Sequence, residues 1–412
     1  MRAETIAPNF KRTDVMNLNG TWEFVSDGKP SASIEVPILP SAPLSGVSEE
    51  IREWATYRRT FTLEGLSRTV LLRFGGIGGY AEIFLNGISV GTHGGVAPFL
   101  ADVSKQVRQG ENYLEILVKK RPQDEFAGIF RTVQLEFADR KFLSALYTAP
   151  DAMRQFVFMY GAVNKKAVLR IRIFLEDKPS GEFHYPVDGT FSLQVPIFGP
   201  QPWRILDGVL YTLCVDVMDG QTVSDRIYTY IGFQVQKPTR FAALADPILY
   251  PRSLHTAPDV CLLKQDLTEA VKSKANALFV PRYVDPYTVH YCDRVGMGLV
   301  VEFPEANTPT ELAEQRESAL ELGMHPSVQA FAVPEENLFW EDISLRTGVL
   351  LVTPQDFAYH KETITDVSYF DRGGVVSALY SETGSAAYTF QRDPSAEHEK
   401  IVELLWKLRR KR

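Results

Sequence analysis

A change of hydrophobic period near residue 237 is what most constrains the folding of this 412-residue chain. Before it, apolar side chains recur at every second position over short runs, the mark of strands with one buried face. After it, short continuous apolar runs alternate with helical segments, the mark of parallel strands joined by crossover helices. One layer architecture cannot satisfy both patterns, so several domains are required. Length alone leads to about two to four.

Residues 1–140 read as an all-β sandwich, with strands predicted over 18–24, 57–63, 70–74, 112–118 and 132–137. Between them, Asn86-Gly87 separates two alternating runs. That dipeptide predicts a type I′ hairpin, because both central residues need positive φ. The glycines of Gly75-Gly76-Ile77-Gly78-Gly79 suggest a phosphate loop, but a strand follows where a helix N-terminus would be needed. They read as bulge or turn glycines. His93 has no second metal-ligating side chain nearby and reads as a loop-stabilising histidine. Residues 141–237 alternate again over 168–174, 189–195, 210–217 and 226–235, the spacing of a second small sandwich. That part clusters neither acids nor nucleophiles and reads as a spacer.

In residues 238–412 the predicted order is helix 266–273, strand 276–280, a helix capped by Asp285 with Pro286 at its first position and stopped by Gly296, then strand 299–302. Thr308-Pro309-Thr310-Glu311 is a capping box, and Gly323 ends the helix it starts. An apolar strand over 328–333 then rises into the adjacent carboxylates Glu335 and Glu336. Further strands are predicted over 348–352, 365–369, 375–380 and 386–390. A last helix has Ile401, Leu404, Leu405 and Leu408 on one face. This is the pattern of a compressed (β/α) barrel, whose strand ends deliver side chains to one rim.

The composition, 45% hydrophobic and 23% charged with no apolar run long enough to span a bilayer, is that of a globular protein with no membrane partner. A net charge of −7 argues against nucleic acid as a partner, and the basic end Arg409-Arg410-Lys411-Arg412 reads as a solvated helix terminus. Cys214, Cys261 and Cys292 form neither a metal-ligand spacing nor a disulfide framework, and no metal or cofactor is expected. Met1-Arg2-Ala3-Glu4-Thr5 brings an acid early and no apolar segment. No secretory signal is read there, and a cytoplasmic location is the expectation.

Five motifs of the first part occur in the order found in glycoside hydrolase family 2, the β-galactosidase and β-glucuronidase family. They are Leu18-Asn19-Gly20-Thr21-Trp22, Tyr57-Arg58-Arg59-Thr60-Phe61, Leu85-Asn86-Gly87, Gly91-Thr92-His93-Gly94-Gly95-Val96-Ala97-Pro98-Phe99 and Gly128-Ile129-Phe130-Arg131-Thr132-Val133. Leu210-Tyr211-Thr212-Leu213 and the closing Gly232-Phe233-Gln234 are similar to that family's second domain, and Asn276-Ala277 and Tyr291-Cys292-Asp293-Arg294-Val295-Gly296 to its barrel. The resemblance implies a jelly-roll sandwich over 1–140, an immunoglobulin-like sandwich over 141–237 and a truncated, degenerate (β/α) TIM-type barrel over 238–412.

It also implies a site. Glu336 falls on the family's general acid/base and Glu382, in Ser381-Glu382-Thr383-Gly384, on its nucleophile. Retaining hydrolysis needs such a pair about 5–5.5 Å apart. Glu302, Arg282, Tyr283 and Glu335 fall on substrate-binding positions. Several residues depart from the family pattern: Phe279 stands for its Arg, Arg282 for its His, Glu335 for its Asn, Pro334 for a Gly and Phe331 for a Trp. Glu335 sets a second charge beside the acid, which perturbs its pKa. The short span from Glu336 to Glu382 leaves little chain for substrate-gripping loops. Two readings stand. The preferred one is a degenerate relative acting in carbohydrate recognition, or in protein assembly through self-association or a protein partner. The alternative is an active retaining exo-β-glycosidase using Glu336 and Glu382. In the bland reading, Glu335 and Glu336 are rim carboxylates and Glu382 is a solvated or helix-capping acid.

Overall fold

The computed structural model describes residues 11–42, 45–65, 68–122, 124, 126–204, 207–234, 242–245, 277–284, 286–352, 368–369 and 377–378. The predicted helices 266–273 and 401–408, the strand 386–390, Asp285 and Glu382 lie outside these residues.

The first sandwich packs a six-stranded sheet on a four-stranded one. The larger runs Ala32–Val36, Gly20–Ser26, Trp54–Leu63, Gly110–Lys119, Tyr80–Leu85 and Ile88–Gly94. The smaller runs Phe99–Asp102, Thr69–Phe74, Val133–Ala138 and Val15–Asn17. Period-two alternation places Trp22, Phe24 and Tyr57 of the larger sheet against Leu72, Phe74 and Leu135 of the smaller in one core. Tyr80–Leu85 and Ile88–Gly94 form the predicted hairpin, with φ of 54° at Asn86 and 77° at Gly87. These are the positive values that a type I′ turn demands.

The glycines read as bulge or turn residues stand at a close crossing of backbones. Ile77–Gly78 pairs antiparallel with Gly128–Ile129. At Gly79, φ is +86° and an added Cβ would lie 2.7 Å from the Lys119 carbonyl oxygen.

A second sandwich, with its own core, joins a three-stranded sheet (Leu143–Asp151, Phe156–Val163, Thr190–Pro196) to a five-stranded one. The five strands are Lys11–Arg12, Thr222–Ile231, Tyr211–Asp219, Ala167–Leu175 and Lys178–Val187. Lys11–Arg12 reaches this sheet from the far end of the sequence and pairs antiparallel with Thr222–Ile231.

A seven-stranded sheet is ordered Leu350–Val352, Val328–Ala332, Gly298–Glu302, Ala277–Pro281, Ala242–Ala245, Ser377–Ala378 and Ser368–Tyr369. Its pairs are parallel except the last, Ser368–Tyr369 with Ser377–Ala378. An antiparallel pair at this edge departs from the all-parallel pattern of the (β/α) barrel expected from sequence. Helices α1 (Pro286–Val295), α2 (Pro309–Leu322) and α3 (Leu338–Thr347) cover one face, with Phe331, Phe303 and Trp340 in the core between. The Thr308 side chain accepts from Glu311 N at 3.2 Å, the Glu311 carboxylate accepts from Asn307 N at 2.7 Å, one residue before the N-cap N–H of the expected capping box, and Pro309 opens α2. Among the described residues no helix is long and apolar enough to cross a membrane.

Gly87 has only its positive φ to lose on substitution, whereas Gly79 has the φ and a backbone collision. Gly87→Ala is expected to cost about 1 kcal/mol and Gly79→Ala clearly more, read as paired shifts in the urea midpoint of the full chain. Equal shifts would show that the close crossing at Gly79 relaxes freely.

Candidate active-site edge of the parallel sheet

Strand register sets the site. Pro281 aligns with Glu302, Glu302 with Ala332, and Ala332 with Val352. Backbone bonds carry the alignment past the strand ends, from Arg282 N to Glu302 O (3.2 Å), Phe303 N to Ala332 O (2.9 Å) and Val333 N to Val352 O (2.8 Å). Arg282, Glu302, Glu335 and Glu336 therefore share the carboxyl-terminal edge, where parallel sheets bind ligands. Glu302 and Glu335 are exposed, and Glu336 and Arg282 half-buried. Glu335 and Glu336 immediately precede α3. Its N-cap is Asn337, whose side-chain oxygen accepts from Trp340 N at 3.2 Å. Negative charge is favoured there by the helix dipole.

Tyr283 is placed differently. Only 3% exposed, it enters an apolar cluster with Leu39, Val96 and Phe130 of the first sandwich. Its ring meets Phe126 edge-on at 5.4 Å. Phe331 is fully buried between the sheet and its helices, against Phe303 and Trp340. Of the six residues picked from sequence, four share the edge, Tyr283 packs beneath the sandwich, and Glu382 lies outside the described residues.

Two polar clusters tie this sheet to the sandwiches, one near the carboxyl-terminal edge and one at the opposite, amino-terminal edge. The Glu314 carboxylate on α2 accepts from Arg121 Nη2 of the first sandwich at 3.1 Å, and Arg121 also forks onto Asp124. Burial raises the Glu314 pKa against the pull of Arg121 and Arg282. The second is Asp293 at the end of α1, fully buried. Its Oδ2 meets His325 Nδ1 at 2.6 Å and accepts from the Tyr230 hydroxyl at 2.6 Å, and its Oδ1 accepts from Ser327 N at 2.9 Å. Trp203 Nε1 donates to the Asp293 carbonyl at 2.7 Å. The acid–histidine pair superficially suggests catalysis, yet it is sealed between the second sandwich and the sheet, and joins the two. Long-range polar pairs of this kind carry no local spacing that could announce them.

His93 is also buried, and its ring stacks on Phe99 at 4.3 Å. Burial lowers its pKa to about 4, so it is neutral near pH 7. Among the described residues no group of three or more His, Cys, Asp or Glu side chains could hold a metal ion.

Residues 43–128 match the family model described as glycosyl hydrolase 2 galactose-binding domain-like. A β-glucuronidase of Bacteroides fragilis is 22% identical over 281 residues, which is 62% of this chain and 37% of the relative. A β-galactosidase of Thermoanaerobacter pseudethanolicus is 25% identical over 174 residues, 35% of this chain and 23% of the relative. In fold, the crystal structure of Ruminococcus gnavus β-glucuronidase superposes with a TM-score of 0.65 at 16% identity, covering 84% of this chain and 73% of that one. The chain is glycosyl hydrolase 2-like. Its matches span well under two thirds of the length of these two curated relatives.

Asp293→Ala in this glycosyl hydrolase 2-like chain removes the acceptor shared by Tyr230, His325 and Ser327 N. The expected loss is about 2–4 kcal/mol of unfolding free energy, as for buried hydrogen-bond donors left without their acceptor. Chemical denaturation checks this, and a change within 1 kcal/mol (about the error on a single surface contact) would remove the knot from the structural account.

Proposed function

We propose that this chain is a catalytically impaired glycosyl hydrolase 2-like protein that keeps its scaffold for carbohydrate recognition. The observation that carries the reading is the burial of Tyr283 beneath Phe126 and Phe130, which withdraws a substrate-contact side chain from the edge. Glu335 adds to it, as a second exposed carboxylate directly beside Glu336 where the resemblance calls for a neutral amide. Within this reading the two sandwiches, divided near residues 140 and 237, are the jelly-roll and immunoglobulin-like parts. The parallel sheet with α1, α2 and α3 is what remains of a (β/α) barrel. A cytoplasmic location, and assembly by self-association or with a protein partner, belong to the same proposal.

Shared edge placement of Glu302 and Glu336 favours the second reading, an active retaining exo-β-glycosidase with Glu336 as acid/base and Glu382 as nucleophile. Assays with aryl β-galactoside, β-glucuronide, β-mannoside and β-glucoside separate the two. The expected result is no turnover above the protein-free blank, together with saturable heat on calorimetric titration with the matching free sugars. Turnover that disappears in Glu336→Gln and in Glu382→Gln would replace the impaired reading with the active one.

A further inference from the structure

A cavity of about 370 Å³ opens between the first sandwich, the strand Lys11–Arg12 and the ends of α1 and α2. Its wall carries Lys11, Arg12, Arg73 and Arg131 and a single carboxyl, Glu321. The counter-charges of Arg12 and Arg73, Glu136 and Asp225, are themselves buried and do not line the space. Arg131 Nη2 donates to the Val284 carbonyl at 2.9 Å, so its guanidinium is oriented across the junction. Glu321 is 3% exposed and meets Arg131 Nη1 only at 3.9 Å, beyond hydrogen-bond reach. Lys11 and Thr132 are exposed at the mouth. Cationic donors from three separate segments face one space large enough for a small ligand.

We propose that this cavity binds a small oxyanion, held by Arg73, Arg131 and Lys11 with Glu321 as a fourth polar group. Guanidinium forks match an oxyanion's acceptors, and the half-enclosed wall strengthens the attraction. Burial pushes the Glu321 carboxyl up to about 8, against the pull of Arg131 and Arg73 and with Glu317 pushing the same way as burial. Tyr147 of the second sandwich also faces it. Near pH 7 the carboxyl is then neutral and able to donate to a bound anion rather than repel it. As pH rises through about 8 it ionises, and anion affinity falls.

The full chain is titrated calorimetrically with sodium sulfate at fixed ionic strength, since sulfate keeps its charge across the range used. Saturable binding is expected, weaker by about tenfold in Arg131→Gln and by about threefold in Lys11→Glu. Lys11→Glu lies at the exposed mouth, so it reports on the site even if Arg131→Gln fails to fold. The affinity should be lower at about pH 9 than at about pH 6.5 in the wild type, and equal at both in Glu321→Gln. A parallel titration with sodium acetate names the class: tighter sulfate means a tetrahedral dianion, tighter acetate a carboxylate. The proposal is overturned if neither anion binds saturably to the folded wild type, or if Lys11→Glu binds both as the wild type does.

Discussion

The structure depends first on one buried cation. Arg12 donates through Nε and Nη2 to the Asp225 carboxylate, both at 2.9 Å, through Nη1 to Glu136, and through Nη2 to the Leu143 carbonyl. Glu136 belongs to the first sandwich, whereas Asp225 and Leu143 belong to the second. A guanidinium this deep is tolerated only with its donors satisfied, and its geometry is rigid, so it fixes how the sandwiches meet. Burial alone would raise Glu136, but Arg73 and Arg12 overcome it and hold the carboxyl below its usual range. The same guanidiniums form part of the wall of the junction cavity, so the brace and the proposed anion site are one piece of chemistry.

From that brace the parallel sheet is placed by two further ties. Asp293 gathers His325, Tyr230 and Ser327 N, which locks the start of the strand Val328–Ala332 onto the second sandwich. Arg131 and Tyr283 lock the loop after Ala277–Pro281 onto the first. The sheet is thus tied at its amino-terminal edge to the second sandwich and at its carboxyl-terminal edge to the first.

Much of the edge was legible in the residues. A short apolar run ending in Glu335-Glu336 and flanked by helical segments reads as a buried strand delivering charge to a rim, and parallel register then carries Glu302 and Arg282 beside it. Helix α3 was not legible, though Asn337 and Gly348 are ordinary cap residues. Leu338 and Leu345, 83% and 85% exposed, put leucines on its outer face and blur the 3.6-residue period. Tyr283 was placed at a substrate position by the family resemblance alone, but it contacts residues more than a hundred positions away. Ser368–Tyr369 and Ser377–Ala378 were read as strands of a parallel barrel but pair antiparallel, a difference the apolar pattern does not encode because alternation is the same for either sense.

By itself the sequence determined much of the local chemistry: the strands with clean alternation, helices α1 and α2, where Asn86-Gly87 turns, how Thr308 and Pro309 start α2, and which end of the parallel strands carries acid. These follow from the φ a residue tolerates and the period of its apolar neighbours, both short-range properties. Tertiary structure alone decided that Arg12 is a brace, that Tyr283 is a packing residue, and that Lys11, Arg73, Arg131 and Glu321 face one cavity. Buried charges and aromatic rings find partners wherever the fold offers them, and no spacing along the chain encodes that choice.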